Sequence, residues 1–97
     1  MTKVLRYDAK RDENEPEIVE ALEAAGAKVV RLDDVDLLVG FRGVNYLLEV
    51  KTAKGKLNKK QEKFFRDWVG QVNIVRTADQ ALALIGAVSA QFIVMDR

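Results

Sequence analysis

Residues 36–51 read DLLVGFRGVNYLLEVK, and this stretch determines the fold that the rest of the chain completes. Two apolar runs flank Arg42-Gly43, a two-residue connection typical of a tight β-hairpin, in which glycine readily adopts a positive φ. Such a turn sets Phe41 opposite Val44, and each step back along one strand then matches a step forward along the other. The predicted partner of Asp36 is therefore Glu49.

The predicted hairpin places three ionisable side chains on one face of a sheet. Directly opposed residues carry their Cβ atoms about 5 Å apart on the same side, so Asp36 and Glu49 repel each other unless a cation neutralises them. Lys51 shares their face, whereas Leu48 and Val50 point to the other side. Ionisable groups in apolar strands are costly unless they are paired or bound to metal. The pattern indicates a cation site, and the alternative is that Lys51 is simply an ion-pair partner at a strand end.

The composition restricts the chemistry that this face can perform. The 97 residues include no cysteine and no histidine, which excludes disulfides, thiolate nucleophiles, histidine acid–base catalysis and zinc held by these residues. Mg²⁺ prefers oxygen ligands and several waters, so Asp36, Glu49 and the carbonyl of Val50 are candidate ligands. Lys51 is a candidate for activating a water and offsetting phosphoryl charge. These groups suit phosphodiester hydrolysis.

Helical and strand patterns alternate on both sides of the hairpin. Asn14 looks like a helix N-cap with Glu17 at the capping-box position, and Phe64, Phe65 and Trp68 predict an inward stripe on a later helix. The patterns predict helices over 14–25, 58–69 and 77–85, strands over 27–32, 35–41, 46–52 and 71–76, and a further strand at 92–95. We expect one domain, residues 1–97, forming an α/β sandwich on a mixed sheet.

Basic residues concentrate after the hairpin, although the formal net charge is only +1. They offer candidate contacts to a nucleic-acid backbone, which would give affinity without sequence preference. The alternative is a solvated, lysine-rich helix face. The candidates are Lys54, Lys56, Lys59, Lys60, Lys63 and Arg66. The apolar runs are too short to span a membrane and the charged N-terminus lacks a signal-peptide pattern, so we expect no membrane partner and a cytoplasmic location.

The order of motifs resembles a known nuclease family. Asp36-(x12)-Glu49-Val50-Lys51 is similar to the PD-(D/E)XK signature. The longer string resembles stand-alone VRR-NUC (virus-type replication-repair nuclease) domains, which are related to archaeal Holliday-junction resolvases. The resemblance is carried by NEPEIV (14–19), AAGA (24–27), DLLVG (36–40), NYLLEVK (45–51) and the run from Leu57 through Gln61 to Trp68. These segments place the core at about residues 11–86.

The resemblance implies a restriction-endonuclease-like core, in the order αβββαβ, that cuts DNA with Mg²⁺ or Mn²⁺ and is often a homodimer. It implies that Asp36 and Glu49 are metal ligands and that Lys51 activates water. Glu17 matches an acidic residue that reaches the metal through water, although it is an equally good capping-box glutamate. Gln61 matches a glutamine that orients phosphate or water, although it could be an ordinary surface amide.

The segment 32–36 departs from the family pattern. Val35 stands where proline is expected, and the short loop contains no glycine. The metal ligands are intact, but Asp33 and Asp34 add negative charge beside the DNA, which affects substrate fit. We expect a Mg²⁺-dependent endonuclease for structured or branched DNA. Two alternatives are a catalytically weak nucleic-acid-binding module that keeps the fold, and a small interaction protein whose charges only solubilise it.

Overall fold

The structure is a computed structural model and describes residues 12–87. Its helices are α1 (Glu15–Ala24), α2 (Lys59–Asp67) and α3 (Ala78–Leu84), and its strands are β1 (Lys28–Arg31), β2 (Leu37–Phe41), β3 (Val44–Val50) and β4 (Asn73–Val75). The order of elements is the predicted one, with ends shifted by one or two residues. The strand predicted at 92–95 lies outside the described residues.

The four strands form one mixed sheet in the order β1-β2-β3-β4. β1, β2 and β3 pair as an antiparallel meander, whereas β4 pairs parallel to β3 after the crossover through α2. A parallel neighbour requires such a crossover, and a helix is its usual form. The sheet confirms the predicted α/β architecture and gives the core the αβββαβ order.

The turn between β2 and β3 fixes the register of the hairpin. Arg42 has φ 51° and Gly43 has φ 82°, the pair of positive values that defines a type I′ turn. Phe41 faces Val44 and Leu37 faces Leu48, which confirms the predicted register. The guanidinium of Arg42 lies 4.8 Å from the centre of the Phe41 ring, which is a cation–π contact. A positive φ costs more at Arg42 than at Gly43, because arginine has a Cβ and glycine has none.

The core lies on one face of the sheet, beneath α1 and α3. Alternate residues of β2 and β3 are buried on this face, including Leu37, Val39, Leu48 and Val50, and Ile18 of α1 packs against them. Each fully buried aliphatic side chain contributes about 1.5–3 kcal/mol. Strand alternation directs the side chains of Asp36 and Glu49 to the other face of the hairpin, away from this core.

The start of α1 differs from the prediction in one contact. Asn14 occupies the N-cap position, but its side chain accepts no capping hydrogen bond, so the predicted capping box with Glu17 is wrong. Instead, its Nδ2 donates to the carbonyl oxygens of Lys51 at 3.1 Å and Arg76 at 2.9 Å. The amide therefore ties the beginning of α1 to the ends of β3 and β4.

The predicted inward stripe on α2 is also wrong in part. Phe64 and Phe65 are half-buried, but Trp68 is 43% exposed, and no residue of α2 is fully buried. The helix ends at Asp67 and Trp68 is its C-cap: its amide still donates to the Phe64 carbonyl, and its extended angles, φ −74° and ψ 124°, turn the following chain out of the helix. The indole stacks on the Phe64 ring instead of entering the core. Within residues 12–87, no helix has the length and apolar character that a membrane span requires.

Candidate active site

Asp36 is held at the entrance to β2 by bonds from two directions. It lies one residue before the strand, where its carbonyl oxygen accepts a hydrogen bond from the Leu32 amide at 2.8 Å. Its Oδ2 accepts a hydrogen bond from the amide of Val50 at 2.7 Å. Because Leu37 pairs with Leu48, the next step of the ladder brings Asp36 to Glu49, as predicted.

Glu49 is a buried carboxyl group in contact with a second carboxyl group. The residue is 2% exposed. Burial, the charge of Asp36 and a side-chain hydrogen bond with Asp36 raise the pKa of Glu49 from 4.5 to about 8, against the opposing effect of Lys51. Two carboxyl groups in hydrogen-bond contact share a proton at neutral pH or else require a cation between them.

Two further side chains contact Glu49. The Nζ of Lys51 lies 3.7 Å from Glu49 Oε2, and the lysine side chain is 14% exposed. Gln61 donates from Nε2 to the same oxygen at 2.8 Å. Its Oε1 accepts from the Asn58 amide, and Asn58 Oδ1 accepts from the Gln61 amide, which completes a capping box at the start of α2. The predicted residues Asp36, Glu49, Lys51 and Gln61 are thus brought together.

A solved chain described as "VRR_NUC domain" is similar to this chain over most of its length. It is 30% identical, covers 73% of this chain and 88% of its own, and superposes with a TM-score of 0.58. The chain belongs to the VRR-NUC family. No family model matches the sequence, and no curated protein matches it. The match also confirms the restriction-endonuclease-like core and makes this a domain of the nuclease type.

The nuclease fold implies a divalent metal, and the paired carboxyl groups of this VRR-NUC domain fit one. Asp36 and Glu49 offer hard oxygen donors whose mutual repulsion a divalent cation relieves. The amide and carbonyl of a residue in an extended strand point the same way, so the Val50 carbonyl lies on the Asp36 side, where its amide binds Oδ2. Over residues 12–87 no cluster of three or more Asp, Glu, His or Cys side chains forms, so the remaining ligands would be water.

The structure does not bring Glu17 to the carboxyl pair. Glu17 is exposed and lines a groove on the outer side of α1 with Glu13, Glu20 and other residues. The buried acidic residue of α1 is instead Glu15, which is 1% exposed and accepts a hydrogen bond from Arg31 Nε at 2.8 Å. Pro16 separates the two glutamates, and the resemblance pointed to the exposed one rather than to the buried one.

The structure also contains a positioning residue without a signal in the sequence. Arg76 follows β4, and its Nη1 donates to the carbonyl oxygens of Thr52 at 2.6 Å, Gly55 at 2.8 Å and Ala53 at 3.3 Å. These carbonyls belong to the loop between Lys51 and α2. Nothing in the local pattern around Arg76 indicates a partner more than 20 residues earlier, so only the fold reveals it.

The six basic residues predicted to contact DNA lie in α2 and in the loop before it. All six predicted contacts are exposed: Lys54, Lys56, Lys59, Lys60, Lys63 and Arg66. Two of them are partly neutralised, because Lys63 Nζ lies 2.6 Å from Asp67 Oδ2 and Arg66 Nε lies 3.6 Å from Asp67 Oδ1. Lys54 and Lys56 lie in the loop that Arg76 holds.

Proposed function

We propose that this VRR-NUC domain is a metal-dependent DNA endonuclease that hydrolyses phosphodiester bonds in structured or branched DNA. The supporting observation is the contact between the carboxyl groups of Asp36 and Glu49, with Lys51 at 3.7 Å from Glu49. A buried acid pair that raises the pKa of Glu49 to about 8 is expensive to maintain, and ion binding gives it a use.

Asp36, Glu49 and the carbonyl of Val50 would hold Mg²⁺ or Mn²⁺. When bound, such an ion polarises a phosphoryl oxygen and lowers the pKa of a water. Gln61 keeps Glu49 in place, because its amide donates to one carboxylate oxygen and is itself fixed by Asn58. The orientation of the carboxylate therefore depends on the start of α2.

Lys51 acts on the attacking water and on the charge of the phosphate. Its Nζ is close to Glu49 and its side chain is only 14% exposed, so it lies beside a carboxyl group that would hold the ion. As an ammonium group it donates to the attacking water and offsets negative charge that develops on the phosphoryl oxygens. As an amine it would accept the proton that the water loses.

The exposed lysines and arginine would contact backbone phosphates on both sides of the scissile bond. Such contacts position a duplex without reading its sequence. A homodimer would present two such sites, as paired cuts in the two strands of a four-way junction require. Sedimentation of the 97-residue chain at several concentrations, alone and with a four-way junction, tests the dimer.

Activity is tested with four-way junction, flap, duplex and single-stranded DNA in Mg²⁺ or Mn²⁺. We expect junction or flap DNA to be cut fastest, and Lys51→Ala to reduce the rate at least 100-fold, within the usual range for loss of an acid–base group. Lys28→Ala, an exposed lysine on β1 at the far edge of the sheet, is the matched control and should cut normally.

Metal binding is tested separately by calorimetric titration of Mg²⁺ into the wild type and Glu49→Ala. We expect binding only to the wild type. DNA binding without Mg²⁺ binding would support the alternative of a nucleic-acid-binding module. Cutting that survives in Lys51→Ala would remove Lys51 from the proposed centre.

A further inference from the structure

An open cleft between α2 and the segment before β2 plays no part in the metal chemistry proposed above. It is lined by Asp34, Lys60, Lys63, Phe64, Asp67 and Trp68, and its volume is about 290 Å³. Small-molecule sites usually begin at about 300 Å³. The cleft therefore has room for one planar ring system.

The cleft contains a fixed pair of stacked aromatic rings. The ring centroids of Phe64 and Trp68 are 5.2 Å apart, and their planes are inclined by 16°. The indole Nε1 of Trp68 donates to the carbonyl of Gln71 at 3.1 Å. A Cβ at Gly70 would lie 2.9 Å from Nε1, so this glycine lets the indole lie against the backbone. The rings are held in place while Trp68 is still 43% exposed, so a ligand could stack on them with little loss of side-chain freedom.

Charge favours a nucleic acid over a second copy of the chain as the occupant. α2 carries four basic residues and two acidic ones, so packing two copies of α2 together would oppose like charges. Asp67 is the acidic residue of α2 that lines the cleft, and its charge is offset by ion pairs with Lys63 and Arg66. Asp34 lines the cleft as well, and its carboxylate can accept a hydrogen bond from the amino group of a cytosine.

The cleft begins one helical turn from the carboxyl pair. Gln61, which donates to Glu49, precedes Phe64 by one turn and Trp68 by two. A helix rises about 1.5 Å per residue, so the two rings lie about 5 and 10 Å along α2 from Gln61. A DNA strand advances about 3.4 Å per nucleotide, so these distances correspond to roughly one to three nucleotides.

We infer that Phe64 and Trp68 stack an unpaired base of the DNA strand, one to three nucleotides from the scissile phosphate, while Lys60 contacts the adjacent backbone. This inference rests on the proposed function, which defines the scissile phosphate; a flap, or a junction that opens at its branch point, would supply the unpaired base. Stacking on aromatic side chains tolerates any base and adds strongly to single-strand affinity.

Trp68 is the single tryptophan of the chain and reports directly on the cleft. A short oligo(dC) strand and a duplex of equal length are titrated into the 97-residue chain in EDTA, so that no DNA is cut. We expect the single strand to quench the tryptophan fluorescence and the duplex to quench it much less.

Two variants of neighbouring phenylalanines provide the matched comparison. Phe64→Leu removes a ring of the stacked pair but keeps the reporter, and we expect it to weaken oligo(dC) binding about tenfold while duplex affinity changes less than twofold. Phe65→Leu, on the same helix but outside the cleft lining, should bind both DNAs like the wild type. Circular dichroism and thermal unfolding of each variant establish that the fold is kept.

An absence of quenching by oligo(dC), equal weakening by the two variants, or equal weakening toward single strand and duplex would each overturn the inference. A concentration-dependent dimer that Phe64→Leu dissociates would also overturn it, because a second copy would then occupy the cleft. These measurements need neither metal nor cleavage. If the wild-type chain cut none of the DNAs in the assays above, the proposed function would be refuted. Quenching by oligo(dC) would still be judged by its own result.

Discussion

Glu49 shows how a single residue can link metal binding, stability and pH. Its pKa is about 8 in the folded, metal-free chain, whereas a glutamate in the unfolded chain ionises near 4.5. Between pH 4.5 and about pH 8, Glu49 is therefore protonated in the folded chain and ionised in the unfolded chain. Unfolding then releases a proton, and stability falls as the pH rises through this range.

We expect the chain in EDTA to lose about 2 kcal/mol of its free energy of unfolding between pH 6 and pH 8, since the proton must be given up against the repulsion of Asp36. Thermal or urea unfolding at the two pH values measures this difference. Glu49→Gln keeps the shape of the side chain without its charge and should flatten the dependence. A wild type as stable at pH 8 as at pH 6 would show that the two carboxyl groups do not share a proton.

At the scale of elements, the beginning of α1 is attached to the sheet through a donor rather than a cap. Asn14 uses both hydrogens of its amide on the carbonyl oxygens of Lys51 and Arg76, so α1, β3 and β4 meet at one side chain. Lys51 is thereby fixed through its own backbone. A disturbance at this junction should reach the carboxyl pair, although Asn14 contacts neither acid.

Asn14→Asp separates the two possible roles of this residue. Aspartate is as good an N-cap as asparagine, so a capping role predicts little change or a gain in stability. A donor role predicts a loss of about 1–3 kcal/mol, because a carboxylate would face two carbonyl oxygens. We expect the loss, measured by urea unfolding at pH 7. Thr77→Asp, at the N-cap of α3 where the side chain does accept from the Gln80 amide, is the control and should be tolerated.

Across the whole molecule, the sequence predicted what is set by local geometry and missed what is set by long-range contacts. The Arg42-Gly43 turn imposes its register on every later pair, so the meeting of Asp36 and Glu49 could be derived from spacing alone. Glu15, which is buried where Glu17 is exposed, accepts a hydrogen bond from Arg31, which belongs to another element. The contacts of Arg76 likewise span more than 20 residues, and no periodic pattern encodes such a distance.

The distribution of charge over the molecule gives a last expectation, which concerns salt. Each phosphate that a lysine neutralises adds about 0.9 to the slope of log affinity against log salt concentration. Lys54 and Lys56 lie in the loop beside the carboxyl pair, whereas Lys28 lies on β1 at the opposite edge of the sheet. If the loop contacts DNA, Lys54→Gln with Lys56→Gln should lower the slope for duplex DNA by about 2, as fluorescence anisotropy at several salt concentrations measures. Lys28→Gln should leave the slope unchanged, and an equal effect of both changes would mean that net charge, not this surface, attracts the DNA.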